Sequence, residues 1–265
     1  MEYVTLINDV KMPIIGYGTY QTPARITEKC VAEALKAGYR SIDTAQCYGN
    51  EKEVGKACHK SGIPREELFI TTKLWGCHGY QDTLRSIESS LKRIDMDYID
   101  LLLIHEPTGN VYEIYRAMET FYKEGKLRAI GVSNFMEEQY LDLVNHCKVF
   151  PTVNQVETHV FRQQKKLREL ECQIGTKHES WSPLACGRNN IWNNQVLTEI
   201  AKNHNKSVSQ IALRFLVQQG IIVIPKSTNP QHMKENISVL DFDLETEEIQ
   251  AIQKLEVGRS LFGWW

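Results

Sequence analysis

The sequence lacks any pairing of cysteines that would suggest a disulfide framework or a zinc site. Its seven cysteines are scattered along the chain, and none of them forms a CxxC pair. An odd number of separated thiols is typical of a protein that stays in a reducing compartment. We therefore expect a cytoplasmic protein without disulfides and without a bound metal.

Long apolar runs and a surplus of basic residues are also missing. No run of about 18 apolar residues occurs, so no membrane-spanning helix is expected. The first residues lack the basic and apolar segments of a signal peptide. The formal net charge of −2 offers no positive surplus for phosphates, which argues against nucleic-acid binding. Because neither heptads nor an obvious apolar stripe occurs, we expect a monomer.

No linker divides the 265 residues, and strand-like runs alternate with helical patterns throughout. The run 99–104 is almost wholly apolar, as in parallel strands covered by helices on both sides. The pattern predicts strands at 14–19, 41–44, 68–73, 98–105, 127–133, 152–157, 175–180 and 221–225. The predicted helices that follow them span 22–38, 51–60, 80–93, 111–124, 136–146, 164–172, 207–218 and 230–238.

Eight successive strand–helix units favour a closed (β/α)8 barrel, although their number alone leaves an open doubly wound sheet as the alternative. A short hairpin at 3–12 precedes the first unit. Helices near 193–203 and 245–256 lie outside the eightfold repeat. We therefore predict one α/β domain over residues 1–265, a TIM barrel with an N-terminal β-hairpin and two extra helices.

Four residues capable of acid–base chemistry follow consecutive predicted strands. Asp43, Lys73 and His105 stand at strand ends, and Tyr48 lies in the loop after Asp43. Active sites of (β/α)8 barrels form at this end of the strands. Each residue alone has a structural explanation, such as a turn or core packing. Together they can polarise a carbonyl group and protonate its oxygen, because an ammonium group near a phenol lowers the pKa of the phenol.

Reduction of a carbonyl also needs a hydride, which no side chain carries, so these residues imply a nicotinamide cofactor. The segment Gly16-Tyr17-Gly18 lacks the third glycine of the Rossmann motif, and a different dinucleotide site is therefore expected. The second half of the chain offers amides and hydroxyls for a carboxamide, a flat ring for stacking and a cation for phosphate. These groups belong to Ser133, Asn134, Gln155, Trp181, Lys226 and Ser227.

The chain resembles the aldo-keto reductase superfamily from about residue 4 to residue 255, and its bacterial diketogluconate and small-aldehyde reductase branch in particular. The resemblance rests on strings that occur in order: GYGTYQT, GYRSIDTAQCYGNEKEVG, LFITTKLW, DYIDLLLIHEP, GKLRAIGVSNF, PTVNQVE, SWSPLACGRN and IPKSTNPQHMKENI. It implies a barrel that reduces aldehydes or ketones with NADPH. The catalytic residues implied are Asp43, Tyr48, Lys73 and His105, with Tyr48 as proton donor.

The resemblance also implies the binding residues. Cofactor contacts would fall on Gly18, Thr19, Ser133, Asn134, Gln155, Trp181, Ser182, Pro183, Leu184, Lys226, Ser227, His232, Glu235 and Asn236. The substrate pocket would be lined by Tyr20, Trp75, Glu106 and Trp192. Many NADPH-preferring relatives have an arginine in place of His232, so NADH remains open as a second cofactor. Relatives often have a longer C-terminal tail; here the pocket would be more open, or walled partly by Trp264 and Trp265.

The leading hypothesis is therefore an NADPH-dependent reductase of small aldehydes, dicarbonyls or keto sugars. An alternative is a sensor or scaffold that binds NADP(H) with little turnover, although the complete set of four residues argues against it. A third reading is an isomerase or aldolase that forms a Schiff base on Lys73. That chemistry needs a neutral lysine, whereas Asp43 nearby would keep Lys73 charged.

Overall fold

A computed structural model describes residues 1–263 of the chain. An antiparallel hairpin comes first and consists of β1 (Tyr3–Thr5) and β2 (Lys11–Pro13). The main sheet has eight parallel strands in chain order. They are β3 (Tyr17–Gly18), β4 (Ser41–Asp43), β5 (Phe69–Leu74), β6 (Ile99–Ile104), β7 (Leu127–Ser133), β8 (Val153–Glu157), β9 (Lys177–Trp181) and β10 (Ile222–Val223).

Helices connect these strands in the order that the sequence predicts. They are α1 (Ala24–Lys36), α2 (Glu51–Lys60), α3 (Tyr80–Ile94), α4 (Val111–Lys123), α5 (Glu137–His146), α6 (Lys165–Ile174), α7 (Gln195–His204), α8 (Val208–Val217), α9 (Pro230–Ile237) and α10 (Thr246–Gln253). The two predicted extra helices correspond to α7 and α10. Within the described residues, no helix is long and apolar enough to cross a membrane.

The two edges of the main sheet meet and close it into a barrel. Ile15 forms a parallel bridge with Val223, and the Gly16 N–H donates to Val223 O at 2.8 Å. A Cβ on Gly18 would lie 2.8 Å from Ile224 O, so the close approach here requires a glycine. The predicted (β/α)8 barrel with its N-terminal hairpin is therefore confirmed.

The hairpin covers the N-terminal end of the barrel. Leu6 and Met12 are buried with inward-facing strand residues in one apolar cluster. The strand residues of this cluster are Phe69, Leu101, Leu103, Ala129, Val153 and Ile222. Because this end is filled with apolar side chains, the polar groups inside the barrel lie towards the C-terminal ends of the strands.

The first strand, expected at 14–19, is limited to Tyr17–Gly18, and the seventh strand also begins later than the sequence predicts. The expected strand at 175–180 is found at Lys177–Trp181, because Gly175 ends helix α6 in a left-handed conformation with φ of 96°. The Gly175 N–H donates to Glu171 O at 2.9 Å, which satisfies a carbonyl in the last turn of the helix. Gly175 thus belongs to the helix terminus rather than to the strand.

Candidate active site

The four predicted acid–base residues meet at the C-terminal end of the barrel. The Lys73 Nζ donates to Asp43 Oδ1 at 2.6 Å, to Thr44 O at 3.0 Å and to Tyr48 OH at 3.5 Å. The ring of His105 packs edge-on against Tyr48, with 5.7 Å between the ring centroids. Lys73 is fully buried, so its ammonium group depends on these oxygen partners instead of water.

Lys73 remains a cation in this site. Burial lowers its pKa, but the negative charge of Asp43 and the phenol of Tyr48 outweigh that effect, so the pKa ends above its ordinary value. A Schiff-base mechanism needs the opposite shift, because only the neutral amine is a nucleophile. The geometry therefore favours a charged Lys73 that stabilises negative charge on the Tyr48 oxygen.

The net shift of the Tyr48 pKa differs in direction from the sequence-based expectation. Burial raises this pKa above its ordinary value, and the Lys73 charge opposes the rise without cancelling it. The expected influence of the lysine is present, but the expectation of an unusually acidic phenol is wrong. Its cause is the desolvation of the phenolate, which a sequence does not display.

His105 is neutral at physiological pH. Burial and the nearby Lys73 charge lower its pKa to about 3. Its Nδ1 atom lies 3.5 Å from Cys47 Sγ, and a neutral imidazole can offer an N–H to a carbonyl oxygen. His105 is thus suited to orient and polarise a substrate carbonyl.

The residues predicted to hold the carboxamide line one side of this cluster. Ser133 ends β7 and donates its hydroxyl to Gln155 O at 2.8 Å. The Asn134 Nδ2 donates to Glu106 Oε1 at 2.8 Å, and its Oδ1 accepts from Trp181 Nε1 at 2.8 Å. Amide and indole groups are therefore held together beside the acid–base residues, and their donor and acceptor types fit a nicotinamide carboxamide and ring.

Gln155 links the carboxamide side to the catalytic side. Its Nε2 donates to Asp43 Oδ2 at 3.0 Å and to Glu179 Oε2 at 2.9 Å. Both bonds use the amide nitrogen, so the carbonyl oxygen of Gln155 is turned away from the two carboxyl groups. This orientation presents an acceptor, as the N–H of a carboxamide requires.

The predicted phosphate and adenine contacts lie around β9, β10 and α9. Lys226 is exposed and Ser227 half-buried just before α9, where Pro230 is at the first helical position. His232 is exposed on that helix and Asn236 is buried. A cation beside a helix N-terminus suits a phosphate group. Other predicted contacts are half-buried Glu235 on α9, and half-buried Ser182 and Leu184 with buried Pro183 in the loop after β9.

The side chain of Thr19, another predicted cofactor contact, is hydrogen-bonded within the protein. It is fully buried, and its hydroxyl donates to Asp43 O at 2.9 Å. Neighbouring Gly18 is buried in β3 and pairs with Asp43 of β4. Both residues therefore shape the backbone next to Asp43, and the Thr19 hydroxyl holds the end of β4 in place.

The predicted substrate residues divide into two groups. The exposed rings of Tyr20 and Trp75 flank the acid–base residues, with centroids 5.1 Å from Tyr48 and 5.1 Å from His105 respectively. Glu106 accepts a hydrogen bond from Asn134, and burial raises the pKa of Glu106 to about 7. Trp192, by contrast, packs beside Gly187 in the long loop after β9.

The C-terminal tail reaches this loop. Phe262 contacts the Trp181 ring edge-on at 5.1 Å between centroids, and the Arg188 guanidinium lies over the Phe262 ring at 4.5 Å. The tail is anchored where the Leu261 N–H donates to Glu157 Oε1 at 2.9 Å. Trp264 and Trp265, expected to wall the pocket, lie outside the described residues.

One residue of the polar cluster was not predicted. Glu179 lies in the middle of β9, is fully buried and shares Gln155 with Asp43. A charged residue inside a strand that must be buried on both faces is the signal that could have identified it. Its place beside Asp43 depends on residues far apart in sequence.

Comparison with known proteins agrees with this geometry. The model of the aldo/keto reductase family matches residues 14–257. The chain belongs to this family. Glyoxal reductase of Bacillus subtilis is 45% identical over 257 residues, which cover 96% of this chain and 92% of that protein. The aldo-keto reductase is therefore an NAD(P)H-dependent oxidoreductase that reduces carbonyl groups.

Two solved structures show how closely the barrel is shared. The aldo-keto reductase MGS-M4, from a deep-sea metagenome library, superposes with a TM-score of 0.96 at 44% identity and covers 98% of this chain and 97% of its own. The aldo-keto reductase of Bombyx mori, solved in complex with NADP, superposes with a TM-score of 0.90 at 34% identity. These alignments cover 96% of this chain and 92% of the Bombyx protein.

Proposed function

We propose that this aldo-keto reductase reduces small aldehydes, dicarbonyls or keto sugars to alcohols with NADPH, and that Tyr48 donates the proton. The observation that supports this proposal is the contact of Tyr48 OH with the buried Lys73–Asp43 pair, beside His105. We also propose that residues 1–265 act as one domain. The glyoxal reductase activity of the Bacillus relative supports the choice of a small dicarbonyl.

Each residue would have a distinct role. A bound nicotinamide would supply the hydride. The neutral His105 would hold the substrate oxygen, and the Tyr48 hydroxyl would deliver a proton to it. Lys73 would stabilise the phenolate that remains, and Asp43 would keep Lys73 charged and directed. Ser133, Asn134, Gln155 and Trp181 would hold the nicotinamide, while Lys226 and Ser227 would contact phosphate.

The decisive test compares Tyr48→Phe with the parent enzyme, by following the consumption of NADPH with methylglyoxal or a diketo sugar. Loss of the general acid should reduce kcat by about 100-fold or more. Tyr112→Phe is the matched control, because Tyr112 is exposed and bonds Asp142 away from the acid–base residues. Parent-like turnover by Tyr48→Phe would contradict the proposed proton donor. NADPH binding without turnover by the parent would instead favour a sensor.

Cofactor preference should depend on the exposed charges near α9. We propose NADPH as the main cofactor because the Lys226 side chain can pair with a phosphate, whereas the imidazole of His232 lacks the paired donors of an arginine and leaves room for NADH. His232→Arg should raise the ratio of kcat/KM for NADPH to that for NADH by about tenfold, through a new charge-assisted bond to phosphate. An unchanged ratio would remove His232 from the phosphate site.

A further inference from the structure

Two carboxyl groups meet at one amide nitrogen inside the barrel. The Gln155 Nε2 lies 3.0 Å from Asp43 Oδ2 and 2.9 Å from Glu179 Oε2. Of these two carboxyl groups, only that of Asp43 accepts a hydrogen bond from the Lys73 ammonium, at 2.6 Å. One cation therefore faces two carboxyl groups, and the reduction proposed above assigns no role to the second one.

Among residues 1–263, no cation forms an ion pair with the second carboxyl group. Lys73 neutralises Asp43, so an ionised Glu179 would leave one uncompensated negative charge where no water reaches, because Glu179 is fully buried. Its Oε1 is buried as well and has no hydrogen-bond partner among residues 1–263. Burial of an ionised carboxylate whose oxygen has no hydrogen-bond partner costs much more free energy than burial of a neutral carboxylic acid.

We propose that Glu179 is a positioning residue that serves the reduction as a neutral acid. It holds Gln155 against Asp43 and adds no second negative charge behind the Asp43–Lys73 pair. This inference rests on the proposed function. Burial and the Asp43 charge, opposed by the Gln155 hydrogen bond and Lys73, raise the pKa of Glu179 to about 8. The Glu179 side chain is therefore mostly protonated at pH 7.

Ionisation of Glu179 would act on Tyr48 through charge. The titratable groups that face Glu179 are Asp43 and Lys73, and Lys73 contacts Tyr48 OH at 3.5 Å. A new negative charge here offsets the Lys73 cation and disfavours the phenolate that forms when Tyr48 gives up its proton. The rate of reduction should therefore fall as pH rises past the pKa of Glu179.

The test is the pH profile of kcat for methylglyoxal reduction at saturating NADPH. Glu179→Gln mimics the protonated acid and cannot ionise, so the alkaline decline should move upward by about one pH unit. The control Glu169→Gln, at an exposed position on α6, should leave the decline in place. Superimposable profiles of the parent and Glu179→Gln would overturn the inference, while the absence of any parent turnover would reject the proposed function instead.

Infrared spectroscopy tests the protonation of Glu179 directly and does not depend on the stability of the Glu179→Gln variant. In Glu106→Gln, which removes the other carboxyl group with a pKa near neutrality, the C=O stretch of a protonated carboxylic acid should persist at pH 7 and disappear as pH rises past about 8. Absence of this band at pH 7 would overturn the inference even if turnover is normal.

Discussion

Replacement of Lys73 by methionine tests how the acid–base site is held together. Lys73 has no exposed side-chain surface, and only 3% of the Asp43 side chain is exposed. Methionine fills similar volume without charge, so Asp43 would remain as a buried carboxylate without its cation. Removal of one partner from a buried ion pair costs about 3–5 kcal/mol. The free energy of unfolding of Lys73→Met should fall by about this amount, a large fraction of the usual total of about 5–15 kcal/mol.

The assay is urea unfolding followed by tryptophan fluorescence, with Lys36→Met as the control. Lys36 also pairs with a carboxylate, Glu33, at 3.0 Å, but 72% of its side chain is exposed. Exposed pairs contribute little to stability, so the control should unfold almost like the parent. The double variant Asp43→Asn/Lys73→Met should lose less than the sum of its single variants, because it leaves no unpaired charge.

A cost of Lys73→Met below about 1 kcal/mol, as for surface pairs, would refute the reasoning.

Three other outcomes are expected. The pKa of Glu106 is raised to about 7, so kcat/KM of the parent should change near this pH. Glu106→Gln keeps an acceptor for Asn134 but cannot ionise, and its pH profile should lack this change. Gly131→Ala should lower the unfolding free energy by about 3 kcal/mol in urea, because the new Cβ would lie 2.3 Å from Val153 O; a parent-like midpoint would contradict this packing. The pKa of Glu179 is about 8 when folded, against an ordinary value of 4.5. The parent should therefore lose unfolding free energy relative to Glu179→Gln as pH rises from about 5 to 8, and parallel curves would contradict this.

The barrel could be predicted because its signals are local. Each strand is a short apolar run, and each helix follows with its own periodicity, so the order of elements is visible along the chain. Closure depends on a contact that is not local. Ile15 pairs with Val223 from the other end of the sequence, and only the number of repeats pointed to this pairing.

The acid–base residues could be predicted for a related reason. Parallel strands place their carboxyl ends together, so Asp43, Lys73 and His105 had to approach one another once the barrel was assumed. Glu179 shows where this reasoning stops. It lies in the middle of β9 rather than at its end, and it meets Asp43 through Gln155, 112 residues away from Asp43 in sequence. No local pattern predicts a contact across the barrel.

The raised pKa of Tyr48 is compatible with proton donation. Hydride addition to a carbonyl leaves an alkoxide, a base comparable to hydroxide, whose conjugate acid, water, is a very weak acid. Even a buried phenol is a stronger acid than this, so proton transfer to the alkoxide is favourable. The greater difficulty is the phenolate that remains in a buried site, and the Lys73 ammonium stands 3.5 Å from its oxygen. In the proposed mechanism Lys73 would therefore stabilise the charge left on Tyr48 after proton transfer, and an unusually acidic phenol beforehand would not be required.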